Sequence, residues 1–423
     1  MKQSLSNRWL VTLRVFSCML LMPIFSSMKV AAGDLSPIEK LGKKLFFDNI
    51  SSPDWQSCAT CHSPDTGWTG PISGINNHGA VYSGAISSRF GNRRPPSAAY
   101  ATLSPVFHFD AGEGIFVGGN FWDGRATGEK LGNPAADQAL QPFLNPVEQN
   151  NASKLAVCQQ VASSEYAELF EEVWGAGALD CGAAAEKMYD QLGLSIAAYE
   201  NSGEVNQFSS KYDAFLAGEV KLSDEEARGL KLFAEKALCA ECHPLGVASP
   251  LTDFTYDNLG VPRNPENPFY DMNKELLDDG KPINPQGRDW VDPGLGGFLK
   301  TRGESATRIA ENMGKHRVPT LRNVAVGPAR AYMHNGYFKS LKSLVHFYNT
   351  RDTKPKCANP FTTEKDALKM NCWPEGEVAE NINIEELGNL GLTGAEEDAV
   401  VTFMKTLSDG YKVERKINQE AER

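Results

Sequence analysis

The chain has 423 residues, enough for two or three domains of ordinary size, and 41% of them are hydrophobic, which fits a protein with a real core. Its 53 acidic residues outnumber the 42 Lys and Arg and give a net charge of −11. That balance argues against nucleic acid and anionic membrane surfaces as partners, and suits a basic partner or a small neutral substrate.

Residues 1–32 read as a secretory signal. Lys2, Arg8 and Arg14 form the basic region, "VFSCMLLMPIF" is a short apolar run, and "VAA" ending at Ala32 supplies small residues for cleavage. The run is short for a bilayer span, so the mature chain is expected to have none; an uncleaved anchor is the alternative. Cleavage removes four basic residues and no acid, which takes the net charge from −11 to −15.

The next stretch, "LSPIEKLGKKLF" from Leu35, opens with Ser36 and Glu39 in capping-box spacing and predicts a helix. It leads into "SCATCH", with Cys58, Cys61 and His62. The pattern C-x-x-C-H is the attachment signature of haem c. Two thiols three positions apart bond one porphyrin edge, and the adjacent His reaches the iron. A helix is expected over 183–202 and a break near 205–221. From Leu222, "LSDEEARGLKLF" repeats the first helix with Ser223 and Glu226, and "LCAECH" repeats the motif with Cys239, Cys242 and His243. A single C-x-x-C also suits a redox dithiol or half a zinc site, but two copies, each followed by His, argue against that.

Further on, 246–300 is rich in Pro, Gly, Asn and Asp and reads as an ordered insertion or loop. Residues 392–407, with Thr393 and Glu396 as a further capping box, predict a helix, and the charged tail beyond Asp409 is expected to fray. Of nine Cys, one lies in the signal and four in the haem motifs. The local pairings Cys158–Cys181 and Cys357–Cys372 close the shortest loops among the remaining four, with other connectivities open. The expected architecture is mostly α: two cytochrome c-like haem domains in tandem, 34–205 and 222–411, with long ordered loops and little strand. Signal, two covalently bound haem c groups and disulfides all point to the periplasm.

The chain resembles the bacterial di-haem cytochrome c peroxidase and MauG superfamily in "LGKKLFFD", "CATCH", "FWDGRA", "DQALQPFLNPVE", "CAECH", "VPTLRNVA", "AYMHNG" and "LKSLVHFYN". The resemblance implies that peroxide reacts at the first haem and that the second stores or relays an electron. Trp122 corresponds to the tryptophan between the haems; a packed core Trp is the alternative. Gln138 and Glu148 match the distal pair, Glu148 as general acid and base in O–O cleavage and Gln138 as the group that orients peroxide. Pro142 matches a proline near the open face of the iron, although extra residues around "KLGNP" alter the spacing before it.

Tyr348 stands where peroxidases fed by cytochrome c place Met and the MauG branch places Tyr. It is the expected sixth ligand of the second iron, with Met313 or Met333 as substitutes if Tyr348 is only packed. His78, sixteen residues beyond His62, matches a switch ligand that closes the first iron until the second is reduced; a loop His is the alternative, and the MauG branch lacks such a ligand. His334 matches a hydrogen-bonding His near the second haem, and His108, His316 and His346 are expected to be structural. The family's calcium ligand, an Asn, is replaced by Arg94 in "NRRPPS" with Asn92 nearby, so calcium is left open. A Trp used by MauG to pass holes to its partner is replaced by Ala237, and Trp174 and Trp290 are other surface aromatics.

The implied function is reduction of hydrogen peroxide with electrons from a cytochrome c or cupredoxin. Two alternatives stand beside it. In one, as in MauG, the electrons come from side chains of a partner protein; in the other, the chain is a plain di-haem electron carrier needing neither Gln138 nor Glu148.

Overall fold

Each repeated segment becomes a helix, Pro37–Phe47 in the first half and Asp224–Ala234 in the second, in a computed structural model that describes residues 34–413. The expected signal segment lies outside the described residues. Both helices start on the expected capping boxes: Ser36 N–H and Ser223 N–H each donate to the Glu three residues on, at 2.7 Å. Each then packs against a later helix, Ala185–Glu200 for the first and Gly394–Lys405 for the second. These two partners are the helices expected over 183–202 and 392–407.

The glycine shared by the two repeats sets how closely each pair packs. A Cβ on Gly42 would lie 1.9 Å from the Ser195 carbonyl oxygen, and one on Gly229 would lie 2.0 Å from that of Ala399. Backbone thus meets backbone at the same point of both pairs, and any side chain there would force the helices apart.

Two hydrophobic cores follow. One gathers residues between Leu41 and Val205, including Phe46, Trp68, Phe143 and Tyr199. The other runs from Tyr212 to Leu407 and includes Phe233, Phe338, Trp373 and Phe403. A small third cluster, Phe107, Phe116, Tyr256, Leu295 and Leu299, draws on both halves of the chain. Both expected disulfides, Cys158–Cys181 and Cys357–Cys372, are formed.

Strand is sparse, as expected: His108–Asp110 pairs antiparallel with Ile115–Val117, and Tyr256–Asp257 with His316–Arg317. The segment 246–300 is mostly irregular, but it ends in a helix, Gly294–Arg302, that its composition had not announced. Buried Asn side chains order the rest by satisfying backbone groups. Asn264 Nδ2, for example, is within 3.3 Å of the carbonyls of His78, Gly79 and Asn335. The chain is anchored as far as Tyr411, because Asp409 accepts from Tyr100 Oη and Asn323 Nδ2 and Tyr411 N–H donates to Ser209, and most of the tail expected to fray lies outside the described residues. No helix among the described residues is long and apolar enough to cross a membrane.

Candidate active site

Each C-x-x-C forms one short helical turn, Cys58–Cys61 and Cys239–Cys242, and the His that follows leaves the helix with nearly the same backbone angles in both, φ −130° and ψ 67° at His62 and φ −120° and ψ 70° at His243. His62 Nδ1 lies 3.2 Å from the Trp68 carbonyl and His243 Nδ1 lies 2.8 Å from that of Leu251. A carbonyl only accepts, so Nδ1 carries the proton and Nε2 is left as the ligand nitrogen, the outer-shell arrangement common to metal-binding histidines. Trp68 and Leu251 both have positive φ, 63° and 54°, so the backbone is bent in the same way twice to aim a carbonyl at each ring.

Each motif lines a cavity, bounded at the first by Cys58, Cys61 and His62 and at the second by Cys239, Cys242 and His243. All four motif cysteines are unpaired, whereas the other four in the described residues form disulfides. Two free thiols, a tautomer-fixed imidazole and the cavity they line form a donor set that fits one haem in each half.

The first cavity brings together Gln138, Pro142, Glu148 and Trp122 with Cys58, Cys61 and His62. Gln138 comes from the helix Pro134–Ala139, capped by Asn133, and Pro142 from the next turn, Gln141–Leu144. Glu148 Oε2 accepts from Asn145 Nδ2 at 2.6 Å. Burial pushes its carboxyl up, opposed by the nearby Arg125 and the Asn145 bond. Motif reading missed Glu200 in the same cavity. It is 3% exposed, its Oε2 has no hydrogen-bond partner, and burial pushes its carboxyl up to about 8. The only sequence signal was an acid on the buried face of an amphipathic helix.

Trp122 lines both cavities, together with Arg94, Pro96, Ser97, Arg317 and Pro319. Its indole donates to the Arg94 carbonyl at 3.0 Å, and the Arg94 guanidinium sits 5.6 Å from the ring centre. The Arg94 side chain is thus a cation without an oxygen atom at the place where the resemblance put a calcium-binding Asn.

In the second cavity Tyr348, on the helix Leu341–Thr350, faces the same space as His243. Burial beside Cys239 and Cys242 pushes its phenol well up, and no described residue hydrogen-bonds its hydroxyl. Met333 also lines this cavity, whereas Met313 does not and packs at Gly296. His334 and His316, the latter expected only to be structural, both line this cavity. His346 is bound to Glu397 at 2.8 Å.

His78 is the expectation that the structure does not bring to the iron face. Its side chain is 70% exposed, it does not line the first cavity, and its Nδ1 is 2.9 Å from Glu266. The loop carrying it is held outward by bonds from Asn264 and Lys339 to the His78 carbonyl.

Fold and site define a protein with two haem-sized cavities, one lined by Gln138, Pro142 and Glu148 and the other by Tyr348, and the comparisons agree with that class. Residues 37–221 match the family described as di-haem cytochrome c peroxidase. The chain is 36% identical over 383 residues to methylamine utilization protein MauG of Paracoccus denitrificans (strain Pd 1222), covering 87% of this chain and 88% of that protein. It is 27% identical over 351 residues to cytochrome-c peroxidase IdrP2 of Pseudomonas sp. (strain SCT), covering 80% of each. Among solved structures, the diheme peroxidase BthA from Burkholderia thailandensis E264 superposes with a TM-score of 0.72 at 28% identity, over 89% of this chain and 87% of that one. The chain belongs to the di-haem cytochrome c peroxidase and MauG family, and is an oxidoreductase of the haem peroxidase class.

Proposed function

We propose that this is an exported, periplasmic enzyme that reduces hydrogen peroxide to water, taking up two electrons and two protons per peroxide. Haem c would be held covalently at Cys58 and Cys61 and at Cys239 and Cys242, with His62 in the first cavity and His243 and Tyr348 in the second as the residues that would ligate the iron. When bound, the first haem supplies the iron at which the O–O bond breaks and through which electrons arrive. The chain's own residues manage protons and access. Glu148, whose carboxyl is pushed up by burial so that its ionised form is a stronger base, takes a proton from one peroxide oxygen and delivers it to the other. The Gln138 amide orients the peroxide, and Pro142 offers no N–H to compete for it. Trp122, common to both cavities, is the aromatic link between them.

The observation that carries this reading is the open first cavity, with an acid and an amide inside and His78 outside. A plain electron carrier has no use for either group. The electron donor is a soluble cytochrome c or cupredoxin, for which the acidic chain is a suitable face. A second reading, in which the electrons come from side chains of a partner protein, is favoured by Tyr348 in the second cavity and by the 36% identity to a MauG protein. Steady-state peroxide consumption with reduced cytochrome c tests the pair. Turnover supports the first reading, whereas oxidation of the protein's own or added polypeptide without such turnover supports the second.

A further inference from the structure

In the wall of the second cavity, three side chains from separate segments converge with their polar atoms facing one another. Asp292 is 1% exposed and clamped by Arg93, whose Nε donates to Oδ2 at 2.7 Å and Nη2 to Oδ1 at 2.6 Å. The Gly294 N–H adds a bond to Oδ1 at 3.0 Å. A carboxylate has about four lone-pair sites, so the one left free is on Oδ2. Facing that oxygen are His316 Nε2 at 3.4 Å and His334 Nε2 at 4.0 Å, on rings stacked 3.6 Å apart.

The tautomer of His316 makes this juxtaposition informative. Its Nδ1 lies 3.0 Å from the Gly314 carbonyl, so Nδ1 carries the proton and Nε2 points a lone pair at the carboxylate. Both Nε2 atoms are buried and have no hydrogen-bond partner. The His316 lone pair facing a carboxylate oxygen in a buried space is costly unless a cation lies between them. The surroundings are those of metal ligands: an imidazole fixed by a backbone carbonyl and a carboxylate fixed by further donors. Glu377 completes the set. Its Oε1 is held by the Asp292 N–H at 3.2 Å and by Tyr270 Oη at 3.3 Å, while its Oε2 is 3.8 Å from His334 Nε2.

We propose that Asp292, His316 and His334, with Glu377 as fourth ligand, bind a divalent transition-metal ion of the zinc class. The three ligand atoms already lie within 4.8 Å of one another. Tetrahedral bonds of about 2.0–2.1 Å place ligand atoms about 3.3 Å apart, so the His316–Asp292 pair fits as it stands and the others close by an ångström or so. Two imidazoles suit zinc, copper, nickel or iron and disfavour calcium, which takes oxygen ligands. The His334 ring lies 6.4 Å from that of Trp122, so the bound charge sits one ring away from the residue the two cavities share.

The test uses the full haem-loaded protein, stripped with chelator, titrated with zinc sulfate, gel-filtered and measured for zinc and iron by elemental mass spectrometry. One zinc per two irons is expected in the wild type, with affinity falling by roughly tenfold or more in His316→Gln and in His334→Gln at unchanged haem content. No retained zinc, or equal retention in both variants, overturns the proposal. If a variant loses haem, zinc-edge X-ray absorption of the wild type decides. Imidazole scattering with a shell at about 2.0–2.1 Å supports the site, and an oxygen-only shell rejects it.

Discussion

The two halves carry the same holding apparatus and differ in what faces the space it opens on. Each has a capped helix, a glycine that lets a second helix touch its backbone, a Cys-x-x-Cys turn, and a carbonyl from a positive-φ residue fixing the proximal His. Above this common base the first cavity presents Gln138, Pro142 and Glu148, and the second presents Tyr348 and Met333. On the proposed function, the duplicated part serves to hold the haems, and the unduplicated part divides the labour between peroxide chemistry and electron storage.

The sharpest way to break that comparison is at Glu148. Glu148→Gln is expected to lower the rate of peroxide reaction by roughly 10²–10⁴-fold while both haems stay attached, as read by stopped-flow absorbance. An unchanged rate would remove the functional difference claimed for the first cavity. Next comes the shared base. Gly42→Ala and Gly229→Ala should each destabilise the protein by about 1–3 kcal/mol or more in denaturant unfolding, because the new methyl meets a backbone carbonyl that cannot yield cheaply. A large effect in one half and none in the other would mean that the halves are not packed alike.

A smaller, pH-dependent asymmetry belongs to Glu200, which has no buried acid as its counterpart on the second half's matching helix face pointing into a cavity. Its carboxyl is pushed from 4.5 up to about 8 by burial. Between those values the folded protein holds a proton that the unfolded chain has lost. The stability this group contributes is thus complete below about 4.5 and lost as the pH rises through 8, at no more than about 1.4 kcal/mol per pH unit. Glu200→Gln should flatten that dependence in unfolding measured between pH 5 and pH 8. The smallest expected effect is that of His78→Ala, which should leave the peroxide reaction of the oxidised protein unchanged, since the side chain is outside the cavity.

Much of the shared base was legible. Capping boxes, haem motifs and local disulfide pairings are short-range patterns, and Ser36, Ser223, Cys158 and Cys181 sit where spacing placed them. The repeated glycine was visible as a repeat, but its meaning depends on Ser195 and Ala399, more than a hundred residues away in each case. Gln138, Glu148 and Trp122 were singled out through family likeness, not local chemistry, and the structure brings all three into one cavity. What could not be read was assembled from distant segments. The carbonyls of Trp68 and Leu251 depend on backbone conformation, and Asp292, His316 and His334 meet only after the irregular 246–300 segment folds across the second half. At His78 the spacing from His62 matches a ligand, and the contacts with Asn264, Glu266 and Lys339 that hold its loop outward come from distant segments.

The central claim is that the first cavity is open at rest and the second is the storage site. One equivalent of hydrogen peroxide added to the fully oxidised protein, followed in the Soret and near-infrared, tests it most directly. A prompt spectral change is predicted. No change until one electron has been supplied would mean that the first iron is closed at rest, contradicting the open cavity and returning His78 to the role of a switch.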